Sequence, residues 1–147
     1  MEIKQVEFDS DLYRSSLTLR NEVLRIPLGL DISSVDVAED SIHIHFVAIE
    51  KDKLVGVVVL VPHYQQHTGK LRQMATVKEV RGKGYGIELV NALEEYAAEN
   101  GMAEIVLHAR HYAVGFYDKL GYEVYSKVFQ EVDIDHYKMR KNIISKG

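Results

Sequence analysis

Residues 71–86 read L-R-Q-M-A-T-V-K-E-V-R-G-K-G-Y-G. A short apolar run ends in glycines at three alternate positions, Gly82, Gly84 and Gly86, and opens into a strongly helical segment over 87–100. A strand feeding a glycine-rich turn at a helix start is suited to holding an anion. The glycines let backbone approach closely, and the N–H groups of the first helical turn have no intrahelical acceptor. The helix dipole adds roughly half a positive charge at that end. Arg81 and Lys83 bring two formal cations to the same place.

Spacing separates the kinds of anion cradle. A P-loop closes its glycine turn with Lys-Ser/Thr, whereas here Gly86 is followed by Ile87 and Glu88. A dinucleotide fingerprint needs its third glycine three places after the second, and Ile87 stands there. Arg81-x-x-Gly84-x-Gly86 remains. It resembles the Q/R-x-x-G-x-G/A signature of the GNAT N-acetyltransferases, where that turn holds the pyrophosphate of acetyl-CoA. Taken alone the pattern also fits a plain strand–helix corner, so support has to come from the rest of the chain.

The composition sets bounds. A chain of 147 residues is expected to form one domain with a sizeable core. Apolar content of 46% and charged content of 27% are those of an ordinary globular protein. No stretch approaches the ~20 apolar residues of a membrane span. The start, Met-Glu-Ile-Lys-Gln-Val-Glu, has no apolar h-region, so no signal peptide and a cytoplasmic location are expected. Without cysteine there is no disulfide, thiolate metal site or cysteine nucleophile. A net charge of −4 argues against a nucleic-acid partner.

In chain order, residues 3–8 read as a short strand, and Asp9 or Ser10 can cap a helix over 11–25. Leu12, Ser16, Leu19 and Val23 make its inner face, widened by Tyr13, Leu17 and Leu24. Pro27 and Gly29 stop it. Residues 28–41 hold Asp31, Asp36, Glu39 and Asp40 with no basic residue, which reads first as a solvated irregular loop and second as an acidic lure for a cationic acceptor. Residues 42–51 alternate, with Ile42, Ile44 and Phe46 opposite His43 and His45, and pair with 54–61 as an antiparallel hairpin. The polar stretch 62–70 leads into the central strand. Helix 87–100 carries the stripe Ile87, Val90, Leu93, Ala97 and stops at Asn100-Gly101. The continuous apolar run in 104–110 suits a strand covered on both faces, reached by a right-handed parallel crossover. A short helix over 112–120 and strands over 122–129 and 137–142 complete the chain, whose basic tail is Lys138, Arg140, Lys141 and Lys146.

Ala113-Val-Gly-Phe-Tyr-Asp-Lys-Leu-Gly-Tyr122 resembles the second GNAT signature, A-x-x-F-Y-x-k-x-G-F/Y, at the usual distance beyond the glycine turn. The element order agrees over nearly the whole chain. The resemblance implies an α/β GNAT fold: a mixed, mostly antiparallel central sheet with a parallel strand pair at the cofactor cleft, flanked by helices. Stretches 24–30, 71–74, 107–110 and 129–136 resemble a bacterial subgroup of unnamed acceptor. Two departures stand out. Thr76 and Lys78 replace the usual Val or Pro, and Arg110 stands where an Asn often begins the second motif. A guanidinium there could reach a phosphate instead.

The resemblance implies acetyl transfer from acetyl-CoA to a primary amine. Met74, Ala75 and Thr76 would pair with pantetheine and polarise the thioester carbonyl through their backbone. Arg81, Gly82, Lys83, Gly84, Tyr85 and Gly86 would hold the pyrophosphate, joined by Arg110 and Phe116. Tyr117 matches the family tyrosine near the thioester sulfur, where it can give a hydrogen bond and a proton to the departing thiolate; on spacing alone it is a core aromatic. The general base is left open among His43, His45, His63, His108, His111, His136 and Glu22, with His45 and His136 favoured. No histidine pattern assigns a metal. The expected partners are a small-molecule or peptide amine, with no membrane or nucleic acid, and a homodimer is allowed. A non-catalytic acyl-CoA sensor or scaffold is the alternative.

Overall fold

The computed structural model describes residues 1–144, so Lys146 of the basic tail lies outside the described residues. The elements are β1 (Glu2–Val6), α1 (Asp11–Leu24), β2 (Ile44–Glu50), β3 (Lys53–Gln65), β4 (Thr68–Thr76), α2 (Tyr85–Glu99), β5 (Glu104–Arg110), α3 (Val114–Lys119), β6 (Glu123–Val124), β7 (Phe129–Glu131) and β8 (Ile134–Asn142). One sheet runs in the order β1-β2-β3-β4-β5-β8-β6, with β7 also paired to β8. Only β4 and β5 are parallel, joined by the crossover through α2; every other pair is antiparallel. This is the α/β GNAT fold. Among the described residues no helix is long and apolar enough to cross a membrane.

The sheet is covered on both faces. Leu89 and Leu93 of α2 pack with Phe46, Val58, Leu60 and Leu107, while Tyr13 and Leu19 of α1 pack with Val47, Val57 and Ala75. Alternate residues of β2 and β3 thus serve opposite cores, so the expected polar side of β2 is also buried: His43 is 7% exposed and His45 1%. Ile42, expected on the apolar side, is 66% exposed in a 3₁₀ turn before the strand. Helix α2 starts at Tyr85, not at 87. Its buried face is therefore Tyr85, Leu89, Val90, Leu93 and Ala97, and Ile87 is left exposed. Ser10 caps α1, its side chain accepting from the Tyr13 N–H at 3.1 Å.

Three stretches depart from the sequence expectation. The polar residues 62–70 are mostly strand: β3 and β4 continue to a two-residue turn, and a bulge at left-handed His63 (φ 50°) absorbs the mismatch. Gly69 leaves room for the core there: a Cβ would sit 2.8 Å from Leu60 Cδ1 and 2.9 Å from the Met102 sulfur, and both would have to shift. Residues 122–129 are not one strand; β6 is two residues long, and β7 turns into β8 through left-handed Val132 and Asp133 (φ 46° and 60°).

The acidic loop is not merely solvated. Asp40 is fully buried, accepting from Arg20 Nη1 at 2.8 Å and from the Tyr13 hydroxyl at 2.6 Å. Asp36 takes Arg25 in two hydrogen bonds, of 2.9 and 3.1 Å. Helix α1 supplies the cations that the loop lacks. The Arg25 hydrogen bonds are the main reason the Asp36 carboxyl is pushed down to about 2. Because the folded value lies below the unfolded one, the stabilisation is full above pH ~4 and is lost as pH falls towards ~2. Asp36→Asn is expected to lose about 2 kcal/mol at neutral pH. Urea unfolding of variant and wild type should converge near pH 2; a constant gap across pH would assign the loss to packing.

Candidate active site

Parallel pairing between β4 and β5 covers only Thr68–Leu71 against Glu104–Leu107. Beyond that point β4 pairs with β3 alone, and β5 with β8 alone through Arg110. The strands part inside the sheet, leaving two facing edges whose backbone groups have no strand partner. The parting coincides with a bulge in β4, where three steps from Arg72 to Ala75 oppose two steps from Val59 to Val57. Gln73 sits in it with φ 50°, held by Arg20 Nε donating to its Oε1 at 2.5 Å. Arg20 of α1, itself paired with the buried Asp40, therefore fixes the strand at the parting point.

A cleft of about 1430 Å³ opens there. Pockets for small ligands measure roughly 300–1,000 Å³, and this one is larger. Met74, Ala75, Thr76, Arg81, Gly82, Gly84, Tyr85, Gly86, Arg110, Phe116 and Tyr117 all line it. Lys83 does not; it is exposed outside the cleft. Gly84, the N-cap of α2, has φ 88°, and no side chain caps the helix. Nothing lies within 4 Å of a Cβ built on Gly82 or Gly84, so the space above the uncapped N–H groups is open. Gly86 is small for another reason: its Cβ would come 3.1 Å from Phe116 Cζ of the second motif. Arg81 reaches back to the Thr76 carbonyl at 3.2 Å. Arg110 donates to the Leu24 carbonyl at the end of α1 (3.0 Å) and to the Tyr112 hydroxyl (2.9 Å), bracing the cleft wall with a cation at a helix C-terminus.

Tyr117 is 6% exposed, edge-on to Phe116 at 5.0 Å and to Tyr122 at 5.7 Å. Burial raises its hydroxyl well above the ordinary tyrosine value. A thiol has a pKa of about 8.5, so full proton transfer from this phenol to a thiolate is uphill. Burial raises the pKa of a thiolate leaving beside it as well, so the group is fit to donate a hydrogen bond and, as the sulfur gains charge, its proton.

Of the seven candidate bases, His43, His108 and His136 line the cleft. His45 is sealed behind it, its Nε2 donating to the Asp40 carbonyl at 2.8 Å, and serves the core. Glu22 faces a separate, smaller groove. His63 and His111 are exposed outside the cleft. Glu131, hidden in the sequence by the hairpin turn, is the residue that the sequence reading missed. Its Oε1 lies 3.1 Å from His108 Nδ1 and its Oε2 3.5 Å from His136 Nε2. The His108 contact, above all, holds the Glu131 carboxyl below its usual range, so it stays ionised and accepts. His108 Nδ1 then carries the hydrogen, leaving Nε2 as the basic nitrogen. His136 Nδ1 donates to the Ile134 carbonyl at 2.8 Å, which locks its ring.

Comparison with known proteins places this arrangement. The model of the Acetyltransferase (GNAT) family matches residues 11–122. The Bacillus subtilis (strain 168) protein YyaT is 32% identical over 97% of each chain. An aminoglycoside 6′-N-acetyltransferase complexed with coenzyme A shares the fold at TM-score 0.80 and 22% identity, over 100% of this chain and 99% of that one. An acyl-CoA N-acyltransferase from Pseudomonas aeruginosa does so at TM-score 0.78 and 21% identity, over 95% and 98%. With the family model spanning both glycine turn and second motif, the chain belongs to the GNAT family of acetyltransferases.

Proposed function

We propose that the protein moves the acetyl group of acetyl-CoA directly to a primary amine. The parting of β4 and β5 carries this reading: two unpaired strand edges lead from an uncapped helix N-terminus to Tyr117 and His108 in one cleft. The edges match a chain bearing amides, as pantetheine does, and the helix end matches a pyrophosphate. The amine nitrogen attacks the thioester carbon, the C–N bond forms and the C–S bond breaks. His108, oriented by Glu131, takes the amine's proton, directly or through water. The N–H groups at the β4 bulge polarise the carbonyl, and Tyr117 donates to the departing sulfur.

The experiment joins binding to turnover. Calorimetry should show acetyl-CoA binding to wild type and its loss in Gly84→Val, because a β-branched residue resists φ 88° and projects into the open space over the helix end. Thiol detection should then show CoA release that depends on an added primary amine. Equal affinity in a folded Gly84→Val places the donor elsewhere. Tight binding with no amine-dependent release returns the non-catalytic acyl-CoA sensor.

A further inference from the structure

The acceptor side of the cleft has an unusual balance of charge. Among the described residues, the carboxylates lining it are Asp36, Glu39 and Glu131. Asp36 is occupied by Arg25, Glu131 is shared between two histidines, and Glu39 is 68% exposed at the rim beside His43. Among the described residues, Lys70 and Arg72 have no carboxylate within ion-pair distance, although both are half-buried. Arg72 donates only to the Asp36 backbone carbonyl, at 3.1 Å, and Lys70 lies over the Tyr64 ring at 5.0 Å. A guanidinium has five N–H donors in a planar fork, so most of the Arg72 fork is unused. Partly burying a cation without a counter-charge is costly. Burial acts most strongly against the charged form of both side chains, and the carboxylates that favour it, Glu131 for Lys70 and Asp40 and Asp36 for Arg72, all lie beyond ion-pair distance.

Register places these cations with the reacting groups. Lys70 pairs across to Val106, two residues before His108 on the same strand face, and Arg72 follows Lys70 on its own face at the point of parting. Burial, and after it the charge of Arg72, acts against the charged form of His43. The donor's phosphates are not the intended partner. At about 3.3 Å per residue, Arg72 and Lys70 lie roughly 13–20 Å back along β4 from Thr76, where the chain leaves for the glycine turn.

We propose that the acceptor is a primary amine that also carries an acidic group, a carboxylate or phosphate, which Arg72 and Lys70 hold while the amine faces His108. This rests on the acetyl-transfer reading and narrows its substrate class. A polycationic amine would meet two unpaired cations and bind poorly.

The test uses matched pairs of probes: glycine, β-alanine and γ-aminobutyrate beside their amides, and O-phosphoethanolamine beside ethanolamine. At least one acidic member should exceed its uncharged partner in kcat/KM by about tenfold or more, and the pair that does so identifies carboxylate or phosphate. In Arg72→Gln with Lys70→Gln the preference should collapse to about twofold, while Arg72→Lys should retain part of it. Melting temperatures and acetyl-CoA affinity serve as controls for folding. Uncharged partners equal to or better than the acids, or a preference that survives the double variant, would overturn the proposal. If no probe is turned over, calorimetry on the CoA-saturated protein decides: acid-selective binding supports the anion site while counting against transfer, and no selectivity overturns the site. Acetyl transfer to uncharged amines alone would sink this proposal and keep the transfer reading.

Discussion

Asp40→Ala is expected to destabilise the fold by about 3–5 kcal/mol, the usual range for removing one partner of a buried ion pair. Both side chains of the Arg20–Asp40 pair are fully buried. The variant strands the Arg20 guanidinium without a counter-charge and leaves the Tyr13 hydroxyl without its acceptor. Replacing both charges, as in Arg20→Met with Asp40→Leu, should cost much less, because the desolvation of two ions is removed together with their attraction. Urea unfolding measures both. A loss below about 1 kcal/mol in Asp40→Ala would show that water reaches the site and screens the charge. The variant should also harm activity beyond its stability cost. Arg20 holds Gln73 in the β4 bulge, next to Met74, and a relaxed bulge would shift the backbone that faces the acyl group.

That coupling was invisible in the sequence, and the reason is physical. Arg20 reads as one polar position on an amphipathic helix, and Asp40 as one more acid in an acidic loop. Their meeting depends on long-range packing, as does the Arg20–Gln73 contact, made between residues 53 apart. Glu131 was obscured in the same way, since its relation to His108, 23 residues earlier, follows only from the two-residue turn between β7 and β8. What could be read were signals that repeat locally. The glycine turn, the helix that follows it and the apolar runs of β3 and β5 were all legible, because period and glycine spacing are properties of neighbours. The cleft could be anticipated from two motifs, and most of the residues expected in it do line it. The direction of the Lys83 side chain could not be read, because alternation in a turn does not say which way a side chain points. His45 was misplaced because a strand covered on both faces has no polar side.

Tyr117→Phe should lower kcat by roughly 10- to 100-fold while acetyl-CoA affinity changes little. The phenol lines the cleft and is buried against Phe116 and Tyr122, and the substitution keeps the ring and both edge contacts. What it removes is one hydrogen bond to a sulfur that gains negative charge as the C–S bond breaks. Such charge-assisted bonds are worth about 1.5–3 kcal/mol, or one to two decades in rate. Full general acid catalysis, with the proton passing to the sulfur, would be larger, at about 10²–10⁴-fold, so the size of the loss separates the two. Since the folded value is raised, Tyr117 stays protonated through neutral and moderately alkaline pH, so the ratio of wild-type to variant kcat should be flat from about pH 7 to 10. A ratio that decays towards 1 over that range would mean that the tyrosine ionises there, against the effect of its burial. A variant with wild-type kcat and a lowered melting temperature would make Tyr117 a packing residue only.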